Sequence, residues 1–167
     1  KSAAVPLAPI TSVPATVRVL MPDGHIETLD MDDYLKGVVP FEIGPGSPPE
    51  AQKAQAVAAR TYAATHCLAA SAGDPARCEP GLDANVDTTT RTQVWRASPR
   101  YDTSNAAVDA TSGVVLRQNG FLASSTVYFG HTTIATRSNE DGFGGPPLSY
   151  LRSVGSPDPY NRLYGHG

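Results

Sequence analysis

Carboxylates are the side chains of this sequence with the clearest potential for chemistry, and Glu42 has unusual neighbours. It stands between Phe41 and Ile43 in a segment framed by proline and glycine, just before a helix-prone stretch. Apolar neighbours can partly desolvate a carboxyl group, and desolvation raises its pKa toward the range that a general acid needs near neutral pH. Glu42 is therefore a candidate acid/base. The alternative is an exposed loop glutamate without a catalytic role.

Residue patterns for other kinds of site are missing from the sequence. The histidines are scattered, and only His66 and Cys67 are adjacent. Neighbours on a helix point about 100° apart, so this pair is a poor chelate and spacing does not predict a structural zinc site. No Gly-rich phosphate loop and no Gly-x-Ser-x-Gly elbow occurs, so neither a nucleotide cofactor nor a serine hydrolase is indicated. The four histidines are His25, His66, His131 and His166.

Composition predicts one soluble domain or an already processed fragment. The 167 residues are 40% hydrophobic, enough for one sizeable core, and their net charge of −3 comes without any basic patch. We therefore expect no nucleic-acid partner. No stretch is apolar enough to span a bilayer, and the first residues lack the features of a signal peptide. Cys67 and Cys78 could form a local disulfide or remain free thiols, and low lysine content with high proline favours an extracellular setting.

The elements that must position Glu42 begin after a proline-rich extended arm, residues 1–15. The turn around Asp23 and Gly24, flanked by apolar residues, predicts a β-hairpin. Asp30 can cap a helix over residues 31–38 that ends at Pro40, and residues 41–46 read as irregular.

A long helix is predicted to follow, over residues 48–71, opened by a capping box from Ser47 to Glu50. Small residues occur on opposite faces of this helix, so neighbouring elements can approach it closely and we expect it to be central. Arg60 on its flank then needs a carboxylate or a ligand, because burial of an unpaired guanidinium is costly.

The second half of the sequence alternates short elements. Residues 87–95 read as β-prone, residues 104–112 as a helix stopped by Gly113, and residues 114–129 as a hairpin around Asn119 and Gly120. A loop at 139–147 and a short strand at 150–154 complete the chain. The prediction is an α+β fold, with a central packed helix surrounded by antiparallel β-hairpins in a single domain over residues 16–167.

Several segments resemble the signature of the SpoIID/LytB family, named for a sporulation protein and an amidase enhancer. The strongest are DMDDYLKGVVPFE at residues 30–42 and PEAQKAQAVAARTYA at residues 49–63. The resemblance covers nearly the whole chain from Val17 to Tyr160. Its further matches are residues 87–95, residues 107–116, Tyr128, residues 139–141 and residues 147–154.

This resemblance implies a peptidoglycan lytic transglycosylase, most active on glycan strands stripped of stem peptides, with Glu42 as its catalytic residue. One carboxyl group can suffice in such an enzyme, because the nucleophile is the C6 hydroxyl of the muramic acid itself and the product is a 1,6-anhydro ring. Peptidoglycan would be the partner and the cell envelope or the extracellular space the location, with no cofactor.

The resemblance also marks residues that could bind substrate. Gln55, Arg60, Gln93 and Tyr128 fall on motif positions and carry donors or ring faces suited to sugars. Each has a structural alternative: an ion pair for Arg60, ties to backbone groups for the two glutamines, and a core position for Tyr128.

Departures from the family pattern occur at two places. Some relatives bind zinc near residues 87–95, but Asp87, Arg91 and Thr92 complete no such set here, so we expect no metal. The segment after Tyr128 lacks the paired glycines of the family and contains His131 and Ile134 at unfamiliar positions.

Two other functions stay open at this point. The domain could be a non-catalytic wall module that binds glycan or stimulates a cell-wall amidase, or a structural domain without glycan contact.

Overall fold

A computed structural model describes residues 12–66, 68, 84–128 and 135–155 of the chain. The chain forms two compact units, residues 1–128 and residues 129–167. The predicted α+β class is confirmed, because the first unit combines helices with a small sheet. The boundary predicted between an arm and a domain stays a prediction. No helix of the described residues is both long and apolar enough to cross a membrane.

The first unit begins with the predicted hairpin. Strands β1 (Thr16–Leu20) and β2 (Ile26–Asp30) pair antiparallel, and a short strand β3 (Val86–Asp87) adds to the other edge of β1 in parallel. Val17 and Val19 of β1 point into the core, whereas β2 is largely exposed. One face of β1 therefore packs against the core.

Two short helices follow the hairpin. Helix α1 (Met31–Lys36) begins as predicted, because the Asp30 carboxylate accepts hydrogen bonds from the first-turn amides of Asp32 and Asp33. The expectation that Pro40 ends this helix and leaves an irregular segment is wrong. Helix α1 stops at Gly37, and Pro40 occupies the first turn of a separate helix α2 (Val39–Ile43), where its missing N–H costs nothing.

Helix α3 (Pro49–Thr65) is the longest helix among the described residues, and α1 and α2 pack against it. The predicted capping box does not form, since Pro48 is the N-cap and the Ser47 hydroxyl donates to the Ile43 carbonyl instead. The helix ends at Thr65 and not at residue 71, because His66 adopts an extended conformation. The buried face carries alanines together with polar residues: Gln52, Gln55, Ala56, Ala59, Arg60, Thr61, Ala63 and Ala64.

A further helix and a hairpin belong to the first unit. Helix α4 (Asp102–Asp109) lies against α3, and the predicted hairpin is present as β4 (Arg117–Gln118) and β5 (Phe121–Leu122) around Asn119 and Gly120, both with positive φ. The prediction of a strand over residues 87–95 is wrong beyond Asp87. The Asp87 carboxylate accepts hydrogen bonds from Thr89 and Thr92, and these bonds fold the segment into turns.

The second unit is described over residues 135–155. Helix α5 (Asn139–Phe143) occupies part of the predicted loop, and Gly144 ends it in the left-handed conformation. The predicted strand at 150–154 is wrong, because these residues form a turn, a bend and irregular backbone, and the one bridge among the described residues of this unit joins Ala135 to Gly155. Cys67, Cys78, His131 and Ile134 lie outside the described residues.

Candidate active site

Glu42 lies on α2, and the loop after this helix is fastened to its neighbours. The Gln52 amide donates to the carbonyls of Pro45 and Ser47, and Gln52 in turn accepts a 2.6 Å hydrogen bond from Ser104 of α4. Gln52 is fully buried. Because one buried glutamine ties the end of α2 to both α3 and α4, the backbone that carries Glu42 has little freedom to move.

The Glu42 carboxylate is half-buried and has one hydrogen bond among the described residues. Its Oε1 accepts from the backbone N–H of Val94 at 2.8 Å, 52 residues along the chain. Burial raises the pKa of Glu42, and the hydrogen bond from Val94 offsets part of that rise. No other described carboxylate or cation contributes to the shift. The expected desolvation of this group is therefore present.

The segment Gln93 to Arg96 that supplies this N–H is docked on the end of α1. Arg96 N–H donates to the Gly37 carbonyl at 3.0 Å, and the Trp95 indole lies directly over Gly37. A methyl group added at Gly37 would lie 2.5 Å from the indole Nε1 and 2.6 Å from the Arg96 carbonyl oxygen. Only glycine allows this close approach, so Gly37 fixes the segment that restrains Glu42.

Three tyrosines lie within electrostatic range of the Glu42 carboxylate. Burial and then nearby negative charge raise the pKa of Tyr34, Tyr62 and Tyr128, and the Glu42 carboxylate contributes to all three shifts. The raised pKa values keep the three hydroxyl groups neutral near Glu42. Tyr34 and Tyr62 were not predicted as site residues, although both lie in the motif segments on either side of Glu42.

The side-chain amide of Gln93 is fully hydrogen-bonded to protein groups. Its Oε1 accepts from the Tyr34 hydroxyl at 2.9 Å, and its Nε2 donates to the Ala59 carbonyl at 3.2 Å and to the Tyr128 hydroxyl at 3.0 Å. The residue is fully buried. Both N–H groups of the Gln93 amide therefore donate to protein oxygens, and its carbonyl oxygen accepts from Tyr34. Gln93 orients Tyr128 and leaves no donor for a substrate.

Gln55 differs from Gln93 in its hydrogen bonding. Its Nε2 is buried without a hydrogen-bond partner among the described residues. A buried amide donor without a partner costs about 1–3 kcal/mol. An oxygen of an added ligand could satisfy this Gln55 donor.

Arg60 forms an ion pair, the structural alternative to substrate binding that the sequence left open for this residue. Its guanidinium is fully buried, donates to the Asp32 carboxylate at 2.8 Å, and reaches the carbonyls of Val108 and Val114. The Asp32 carboxylate also accepts from the Ser112 hydroxyl. These contacts tie α1 to α3 and α4.

The Asp87 region offers no metal site within the described residues. The Asp87 carboxylate is occupied by Thr89 and Thr92 and faces Arg91 at 3.5 Å. Over residues 12–66, 68, 84–128 and 135–155, no group of three or more histidine, cysteine or acidic side chains is placed to hold an ion.

Comparison with known proteins points to one family. A family model described as Stage II sporulation protein, SpoIID, matches residues 23–117, more than half of the chain. An uncharacterized protein of Brachyspira hyodysenteriae is 38% identical over 114 residues, which are 66% of this chain and 29% of that protein. Stage II sporulation protein D of Bacillus amyloliquefaciens is 29% identical over 158 residues, 86% of this chain and 44% of that protein.

A further relative carries a different name. The amidase enhancer of Bacillus subtilis is 34% identical over 106 residues, 64% of this chain and 13% of that protein. The chain spans less than half the length of each of these relatives.

Proposed function

Because this chain belongs to the SpoIID family of stage II sporulation proteins, we propose that it is a peptidoglycan lytic transglycosylase with Glu42 as its acid and base. The substrate would be glycan strands, and the bond cleaved would join N-acetylmuramic acid to N-acetylglucosamine. The relatives named for sporulation and for amidase enhancement support a role related to the cell wall.

The observation that carries this proposal is a single carboxyl group with a raised pKa. Burial raises the pKa of Glu42, and no second described carboxylate interacts with it. An ordinary glycosidase needs a second carboxylate as nucleophile or as base for water. A transglycosylase does not, because the sugar supplies the nucleophile.

Glu42 would act twice in one cycle. Protonated Glu42 donates its proton to the glycosidic oxygen, and the bond from that oxygen to C1 of the muramic acid breaks. The resulting Glu42 carboxylate then takes the proton of the muramic C6 hydroxyl while the C6 oxygen bonds to C1. The cycle consumes no water and leaves Glu42 protonated. Since the free enzyme must hold this proton, kcat/KM should fall as the pH rises through the raised pKa of Glu42.

The neighbouring groups have supporting roles in this proposal. Gln55 Nε2, the buried donor without a partner, would bind an acetamido or hydroxyl oxygen of the sugar. Tyr128, oriented by Gln93, would present its ring or hydroxyl beside the reacting sugar. Arg60 and Gln93 would hold the surrounding elements in place and would not contact the substrate.

A non-catalytic module that stimulates an amidase is the second candidate, favoured by the amidase enhancer relative. One experiment separates the two. The protein is incubated with strands freed of stem peptides, and the products are examined by mass spectrometry for 1,6-anhydromuramyl ends. Anhydro ends support the transglycosylase, whereas binding to the strands without any such ends supports the module.

A further inference from the structure

Arg96 is an exposed cation on the segment whose Val94 N–H binds the Glu42 carboxylate. Arg96 follows Val94 by two residues, so the Cα atoms of Val94 and Arg96 are at most about 7 Å apart. The backbone of Arg96 is fixed by its hydrogen bond to the Gly37 carbonyl. The position of this residue relative to Glu42 is therefore set by the same docked segment.

The Arg96 side chain is held by an aromatic ring and by no carboxylate among the described residues. Its guanidinium carbon lies 5.4 Å from the centroid of the Phe41 ring, and Phe41 itself meets Tyr101 edge to face at 6.3 Å. Phe41 is the residue before Glu42. Arg60 and Arg91, in contrast, pair with Asp32 and Asp87.

A guanidinium placed over a ring keeps its planar edge of N–H donors available. Such an edge matches a carboxylate in bidentate geometry, and the ring limits the side-chain freedom that binding would otherwise cost. The chemistry expected for this position is therefore recognition of a small carboxylate on a ligand bound at Glu42.

We infer that Arg96, held against Phe41 beside Glu42, binds the free lactyl carboxylate of muramic acid and thereby selects strands without stem peptides. This inference rests on the proposed function, because it takes glycan strands as the ligand at Glu42. Muramic acid carries this carboxylate only where no peptide is attached, since a stem peptide converts it to an amide. Arg96 would act as a specificity determinant and would take no part in the proton transfers.

Binding tests this inference without relying on cleavage. Protein with the substitution Glu42→Gln is titrated into two fluorescently labelled glycan strands: one freed of peptides by an amidase, and the same strand with its lactyl carboxylates coupled to methylamine. We expect Glu42→Gln to bind the first strand about tenfold more tightly, the effect of one good charged contact. With Arg96→Gln added, both strands should bind equally and weakly.

Two further variants control the experiment. Arg96→Lys keeps the charge but loses the planar edge, so it should retain only part of the preference. Arg117→Gln removes an exposed arginine of the hairpin whose guanidinium donates to Gly120, and should keep the full preference. Equal binding of both strands by Glu42→Gln, or an unchanged preference in Arg96→Gln, would overturn the inference alone. Failure to bind either strand would overturn both the inference and the proposed substrate.

Discussion

The chemistry proposed for this domain centres on one carboxyl group, Glu42, whose pKa is raised by burial. Sequence reasoning found Glu42 from its apolar neighbours, and the structure shows the raised pKa that this reasoning expected. It could not find the Val94 N–H, because that group comes from a segment 52 residues away. Nothing local in the residues around position 94 identifies a backbone donor directed at a distant acid.

Two buried glutamines at the site should respond differently to the same substitution. Gln93→Met would leave the Tyr34 and Tyr128 hydroxyls and the Ala59 carbonyl without their partner, so we expect a loss of about 2 kcal/mol in the free energy of unfolding. Gln55→Met removes a donor that already lacks a partner, so stability should change little, while kcat/KM on glycan strands should fall about tenfold. Urea unfolding and product assays measure the two effects.

These variants serve as controls for each other. A large stability loss in Gln55→Met with unchanged kcat/KM would show that the Gln55 amide supports the fold and does not meet the substrate.

The elements that hold Glu42 are short, and this limited what their sequence could predict. Asp30 predicted the start of α1 because it is a local cap, and Asn119 with Gly120 predicted the hairpin. Helix α2 was missed because Pro40 can end one helix or begin another, and local sequence does not distinguish the two. The threonines after Val86 have high β-propensity, but Asp87 offers them a nearby acceptor and the segment turns.

Docking of the Gln93 to Arg96 segment on α1 makes Gly37 a positioning residue. Gly37→Ala would force the Trp95 ring and the Arg96 carbonyl outward, which should cost about 1–3 kcal/mol in stability. Movement of this segment weakens the Val94 hydrogen bond, and that bond lowers the pKa of Glu42. The pKa should then rise, so kcat/KM should fall overall while its alkaline limb moves to higher pH.

Gly46→Ala is the matched control, because an added methyl group there meets nothing within 4 Å. Its stability and pH profile should equal those of the wild type. A Gly37→Ala variant that is less active but has an unshifted alkaline limb would contradict a positioning role.

At the scale of the whole molecule, sequence patterning predicted the α+β class and the presence of one long packed helix. Local periodicity did not predict which elements would pack against α3, since that depends on contacts between distant segments. Arg60 illustrates the point, because the need for a partner followed from its burial but the partner, Asp32, lies 28 residues away on α1.

The ion pair between the fully buried Arg60 and the partly buried Asp32 should govern acid stability. Burial alone would raise the pKa of Asp32, but hydrogen bonds from Ser112 and Arg60 and the Arg60 charge outweigh it, and the pKa is lowered. The contribution of the ionised Asp32 carboxylate to the free energy of unfolding is present above pH 3.8 and is lost as the pH falls through the lowered pKa of Asp32. Asp32→Asn should therefore lower the free energy of unfolding by about 3 kcal/mol at pH 7, and less at pH 3.

Asp33→Asn provides the comparison for urea unfolding at both pH values. Asp33 is mostly exposed and lies 4.0 Å from Lys36, and such a surface pair contributes about 0–1 kcal/mol. If both variants lose the same free energy of unfolding at pH 7, the pair of Arg60 and Asp32 contributes no more to stability than an exposed ion pair.

The central claim is that Glu42 cleaves glycan strands without the help of water. The most direct measurement compares wild type and Glu42→Gln on peptide-free strands, with circular dichroism to verify that both are folded and mass spectrometry to detect 1,6-anhydromuramyl ends. We predict anhydro ends from the wild type and a loss of at least about a thousandfold in Glu42→Gln, since the amide has no proton to donate to the leaving oxygen. Equal yields of anhydro ends from the two proteins, or reducing ends in place of anhydro ends, would contradict the claim.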